Sequence, residues 1–145
     1  MQNPTITFVA PYTVEMREGE PIDTLEPNEL LIESLYSLVS PGTELACLSG
    51  KEPWFKLPRA GGYANVGTVV AVGKAVSKFG EGDVVLNYGG HRKYNRMSEG
   101  ALVLRVPDGI DLKLVPLTRM ATVAFTAIRV SDIELGDDVA VVGLG

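Results

Sequence analysis

Gly67-Thr68-Val69-Val70-Ala71-Val72-Gly73, followed at a short interval by Gly82-Asp83-Val84-Val85, is the stretch whose reading decides the fold. Short runs of Val and Thr bounded by glycine suit a pleated, half-buried surface, so they predict strands over 67–72 and 83–88. The same punctuation extends in both directions. Most of the 16 Gly and 9 Pro fall within the first 110 residues, among runs rich in Val, Leu, Ile and Thr. Further strands are expected over 5–9, 13–17, 29–36 and 101–106, with loops at 58–62 and 87–91. No internal repeat or low-complexity segment interrupts them.

Two stretches depart from the β pattern. In Ser40-Pro41-Gly42-Thr43-Glu44-Leu45-Ala46-Cys47, Ser40 can cap a helical turn with Pro41 at its first position. After Pro116, Leu117, Met120, Ala121, Ala124, Ala127 and Ile128 recur at spacings of three and four, which predicts an amphipathic helix running to about Val130. Beyond Ser131-Asp132, the turn Leu135-Gly136-Asp137-Asp138 leads into Val139-Ala140-Val141-Val142. That short apolar run is typical of a strand buried on both faces. Gly143-Leu144-Gly145 follows and the chain stops, which is how a dinucleotide site begins and predicts the front half of a longer protein. By itself a Gly-x-Gly is equally an ordinary strand-ending turn.

The bulk properties narrow the function classes. The chain has 145 residues, 46% hydrophobic content and a formal net charge of -5, as in a soluble domain with a substantial core. Its 13 basic residues form no phosphate-binding cluster, so a small-molecule substrate fits better than nucleic acid. Pro4 and Pro11 interrupt a start with neither a signal peptide nor a membrane span, and a cytoplasmic location is expected. The single cysteine, Cys47, excludes an internal disulfide and a thiolate-rich zinc site. His91 is also the only histidine.

The ordered landmarks resemble those of the medium-chain dehydrogenase/reductase superfamily. The glycine and valine run 67–73, then Val76, Phe79 and Gly82-Asp83-Val84-Val85, look like its signature and the Gly-Asp-x-Val turn. Ala101-Leu102-Val103-Leu104-Arg105-Val106-Pro107-Asp108-Gly109 is similar to the stretch before the domain-joining helix, and Leu135-Gly136-Asp137-Asp138-Val139 to the approach to the first Rossmann strand. The resemblance implies a mostly β fold, a GroES-like, partly open β-barrel with a few short helices, ending in a domain-joining helix and the first strand of a missing Rossmann domain. It divides the chain into a catalytic (substrate) domain over 1–116, a joining helix and turn over 117–138, and the start of a nucleotide-binding domain over 139–145. It also implies NAD or NADP as cofactor of the full-length parent and a homodimer formed through the missing domain, with the fragment alone inactive.

Zinc-dependent members of that family carry a cysteine before Gly-Thr-Asp, where this chain has Pro41-Gly42-Thr43-Glu44. At their Gly-His-Glu segment this chain has Gly62-Tyr63-Ala64, with Gly67 at the matching interval. Their third metal position falls near Thr118 and Arg119, and their four-cysteine lobe is absent. The resemblance therefore implies a zinc-free member. Without a Lewis acid, hydrogen-bond donors must stabilise the oxyanion that develops during hydride transfer.

Thr43 matches the family's proton-relaying hydroxyl, or is an ordinary helix-start threonine. Tyr63 stands in a former ligand position and could donate to a substrate oxygen, or it fills the volume the metal leaves. His91 lies in a glycine-rich loop, and imidazole titrates close enough to neutrality to act as acid or base, although a loop histidine is often only solvated. Cys47, His91 and Glu44 lack a recognised metal-binding spacing. Thr122 corresponds to the residue that touches the nicotinamide ring, or bonds back to its own helix. Gly143 and Gly145 would approach the pyrophosphate. Arg92, Lys93 and Arg96 form a basic cluster that could attract an anionic substrate or simply face solvent. Trp54 and Phe55 wall a pocket or tuck a loop onto the core. The expected function is an oxidoreductase, alcohol dehydrogenase-like or quinone reductase-like, acting on a carbonyl, alcohol or enone. The alternatives are a nucleotide-binding member without catalysis and a free-standing GroES-like interaction module.

Overall fold

The computed structural model describes residues 1–143. Two antiparallel sheets form it. In the smaller, β1 (Pro4–Ala10) pairs on one edge with β2 (Thr13–Glu18) and on the other with β4 (Arg59–Ala60). The larger contains β3 (Glu29–Ser37), β5 (Asn65–Val72), β6 (Val84–Asn87), β7 (Tyr94–Ser98) and β8 (Val103–Arg105), in the order β7-β3-β5-β6-β8. A bridge between Thr5 and Arg92 joins the sheets into a partly open β-barrel, as the resemblance implies.

The valines that predict strands are those the sheet buries. Leu30 and Ile32 of β3 meet Val69, Val85 and Val103, with Val76 and Phe79 packed against them. Burying side chains of this size stabilises by about 1.5–3 kcal/mol each, which makes this cluster the main apolar contribution of the large sheet. Glycine is required at the crossing of β3 and β5, because a Cβ on Gly67 would stand 2.3 Å from the Glu33 carbonyl oxygen. A second cluster, Phe8, Cys47 and Phe55, lies under the smaller sheet.

Four expectations shift. β7 was not expected, because Tyr94-Asn-Arg-Met-Ser98 lacks apolar alternation. It is an edge strand, paired only to β3, and an edge tolerates polar side chains. β4 occupies two residues of the loop expected at 58–62, and the strand expected over 101–106 shortens to β8. Ser40 does cap α1 (Pro41–Leu48) with Pro41 at its start, but its side chain makes no capping bond. The Ser40 N–H instead donates to Glu44 Oε1 at 2.8 Å.

The helix α2 (Thr118–Val130) follows a 3-10 turn over Val115–Leu117 and ends where its apolar spacing does. None of its residues is buried. Phe125 is 64% exposed, and Val123, Ile128 and Val130 are exposed as well. The expected doubly buried strand at 139–142 is not formed. Val142 is 97% exposed, and no neighbouring strand among the described residues offers its backbone a ladder. A strand has no internal hydrogen bonds, so without a neighbour its backbone groups turn to water. Gly143 adopts φ 85°, while Gly145 lies outside the described residues. No described helix is long and apolar enough to cross a membrane.

Candidate functional site

A cleft of about 740 Å³ opens between the sheets, α1 and the start of α2, lined by Thr43, Glu44, Tyr63, Tyr88, Arg92 and Arg119 among others. Its chemistry centres on a buried pair. His91 Nε2 lies 2.9 Å from Glu44 Oε2, and each side chain is only 8% exposed. The other ring nitrogen, Nδ1, lies 2.8 Å from the Ser37 hydroxyl, which is exposed. Carboxylate, imidazole and hydroxyl thus form a continuous line from the cleft wall toward solvent. Glu44 is held at its other oxygen by the Ser40 N–H, so the capping geometry of α1 also orients the partner of His91.

Three asparagines hold the loop that carries His91. Asn65 and Asn87 face each other across β5 and β6, and Asn95 sits in β7; all three are buried. Asn65 and Asn95 each donate to the Ser34 hydroxyl, at 2.9 and 3.0 Å, and Ser34 donates to the Arg92 carbonyl oxygen at 2.6 Å. Asn87 Oδ1 accepts from Gly89 N–H at 2.8 Å, and Asn95 Oδ1 from Gly90 N–H at 2.9 Å. His91 itself donates its N–H to Gly61 and accepts from Ile6. The main chain of residues 89–92 is thereby satisfied by side chains and neighbouring strands, as a buried backbone requires. Gly62 is at φ 89°, and a Cβ there would stand 2.8 Å from the His91 ring, so only glycine admits the imidazole at this point.

The candidate residues separate into those gathered at the cleft and those outside it. Thr43, exposed on α1, and Tyr63, half-buried, both line it. The Arg119 guanidinium lies over the Tyr63 ring at 5.3 Å and the Tyr88 ring at 5.0 Å. Trp54 and Phe55 line it too, packed edge to face at 5.8 Å, and Phe55 reaches the aromatic core. Thr122 bonds back within α2, donating to the Arg119 carbonyl oxygen at 2.7 Å. The basic cluster is divided: Lys93 points toward Glu33, while Arg92 and Arg96 both line the cleft, Arg96 pairing there with Glu29.

Sequence reasoning missed Ser37, the asparagine set and Arg119 as a cleft residue, and weighed Glu44 only as a metal ligand. The asparagines carried a legible signal, since amides inside strands are disfavoured unless something engages them. Cys47 is not part of the pair. Burial, reinforced by Glu52 and Glu44, pushes its thiol above the ordinary value, which leaves it protonated and unreactive. No group of three or more His, Cys, Asp or Glu that could hold a metal occurs among the described residues.

Residues 26–108, more than half of the chain, match the family model of the alcohol dehydrogenase GroES-like domain, and the chain belongs to that family. No curated protein matches it in sequence. Among solved structures, the quinone oxidoreductase from Coxiella burnetii aligns with a TM-score of 0.80 at 19% identity, over 94% of this chain and 47% of its own. The 2R,3R-butanediol dehydrogenase from Bacillus subtilis aligns at 0.78 and 17%, over 93% and 49%. The Escherichia coli quinone oxidoreductase complexed with NADPH aligns at 0.72 and 20%, over 90% and 42%. At these identities the likeness establishes the fold. The chain spans less than half the length of each.

Proposed function

We propose that this chain is the substrate side of an NAD(P)-dependent oxidoreductase that works without zinc, acting on a carbonyl, alcohol or enone. The observation that carries this reading is the cleft in which the Tyr63 phenol, the Thr43 hydroxyl and the buried Glu44–His91 pair stand together. A bound nicotinamide supplies or accepts the hydride. The residues of this chain then have the proton and the oxygen to manage. Tyr63 and Thr43 offer hydroxyl donors to the oxygen on which charge develops. His91 is bonded through Nε2 to Glu44 and through Nδ1 to the exposed Ser37 hydroxyl, so a proton taken up at Nε2 is balanced by release of a different proton from Nδ1 toward solvent.

The zinc-free assignment rests on the donor set. Pro41 and Tyr63 stand where the resemblance expects two of the ligands, and the third position falls near Thr118 and Arg119. Proline and guanidinium cannot ligate, and neutral hydroxyls are poor zinc donors. For the nucleotide, the positive φ of Gly143 suits the opening turn of a Gly-x-Gly motif. We assign 1–116 to the substrate domain, 117–138 to the connection and 139–145 to the start of the nucleotide-binding domain. The exposed apolar residues of α2 disfavour a free-standing module, because such a helix leaves Val123, Phe125 and Ile128 uncovered.

Steady-state NAD(P)H turnover by the full-length protein, across panels of carbonyls, alcohols and enones, tests the reading. Turnover that survives prolonged chelation is the expected result. Nucleotide binding with no turnover on any panel would end the enzyme claim and leave a binding protein.

A further inference from the structure

Four arginines line the cleft, and they are not equivalent. Arg96 pairs with Glu29 at 3.4 Å, and Arg59 packs over the Phe55 ring and donates to the Trp54 carbonyl oxygen. Arg92 and Arg119 have no carboxylate partner within ion-pair distance among the described residues. Their two Nε atoms are the buried side-chain polar atoms left without a hydrogen-bond acceptor there. Arg119 has one side-chain bond, from Nη1 to the Thr122 hydroxyl at 3.0 Å, and its guanidinium is held by the faces of Tyr63 and Tyr88. Arg92 is half-buried. Desolvation lowers its guanidinium from the usual value, and the more distant Glu20 only partly offsets this.

A guanidinium taken out of water and left unpaired is costly, and a fold tolerates it where a ligand supplies the acceptor. Two carboxylates line the cleft: Glu44 is already engaged by Ser40 and His91, and Glu20 acts on Arg92 only from beyond ion-pair distance. The planar fork of arginine matches the two oxygens of a carboxylate or phosphate, and aromatic faces fix its plane without using its N–H groups. We propose that Arg92 and Arg119 form an anion subsite, so that the substrate carries a carboxylate or phosphate group beside the carbon that exchanges hydride. This rests on the reading of the cleft as a substrate pocket. The same chemistry would also accept the phosphates of a dinucleotide, and the experiment separates the two sources.

Calorimetric titration of the full-length protein with succinate, inorganic phosphate, neutral succinamide and NADPH provides the test, with thermal unfolding of each variant as a fold control. Succinate or phosphate is expected to bind and succinamide not to. Arg92→Gln and Arg119→Gln should each weaken anion binding about tenfold, while NADPH affinity stays within about twofold. Arg119→Lys keeps the charge but loses the fork, so it should recover only part of the loss, including where the Gln variant misfolds. Anion binding equal in all variants, absent in the parent protein, or replaced by a loss of NADPH affinity alone would overturn the proposal. The titration requires no turnover. A protein that binds succinate yet reduces nothing therefore keeps the subsite and loses the oxidoreductase reading, and the converse result loses only the subsite.

Discussion

The loop over 88–92 and the helix α2 are opposites. The loop has no regular secondary structure, yet its backbone is bonded to buried asparagines, to Gly61 and to β1. The helix has regular hydrogen bonds along 13 residues, yet buries none of them. Regularity is local, while resistance to opening comes from tertiary satisfaction of polar groups and from covered apolar area. The loop can therefore hold a side chain in a fixed place, which a site needs, and α2 cannot do so until something covers it.

Three substitutions would break or sharpen that contrast. The largest effect is expected from Gly62→Ala, where a methyl group meets the His91 ring at a backbone conformation alanine resists. About 3 kcal/mol should be lost in urea denaturation, together with the Glu44–His91 contact. An unchanged midpoint would mean that the loop yields easily and is not fixed. Next, Asn95→Ala removes the acceptor of Gly90 N–H and the donors to Ser34 and Gly90, leaving a buried N–H unsatisfied. A loss of about 2 kcal/mol is expected, and faster amide exchange at 89–92 should accompany it. The smallest is Phe125→Ala on α2. The thermal midpoint of this chain should hardly move, corresponding to less than about 0.5 kcal/mol, because the ring is 64% exposed. A loss several times larger would show the face of α2 to be covered in solution and would erase the contrast.

The legibility of the sequence follows the same line. The glycine-bounded valines at 67–72 and 84–87 predicted strands because alternation and β-branching act locally. The three- and four-residue spacing after Pro116 predicted α2 to within a residue at its end. The edge strand β7 escaped because an edge does not need apolar alternation. The strand expected at 139–142 fails because pairing is not a property of one segment.

Within the site, the sequence singled out Thr43, Tyr63 and His91, and two of these side chains line the cleft while His91 stands behind Glu44. The sequence by itself determined the β class and the family. Each of these is written in residue type and spacing. Only the tertiary structure decided that Glu44 faces His91, 47 positions further along the chain, which brings the helix that Ser40 caps and the glycine loop together, and that Arg92 and Arg119 line one cleft. Those pairings depend on which buried polar groups find partners once the sheets close, and no local pattern carries that information.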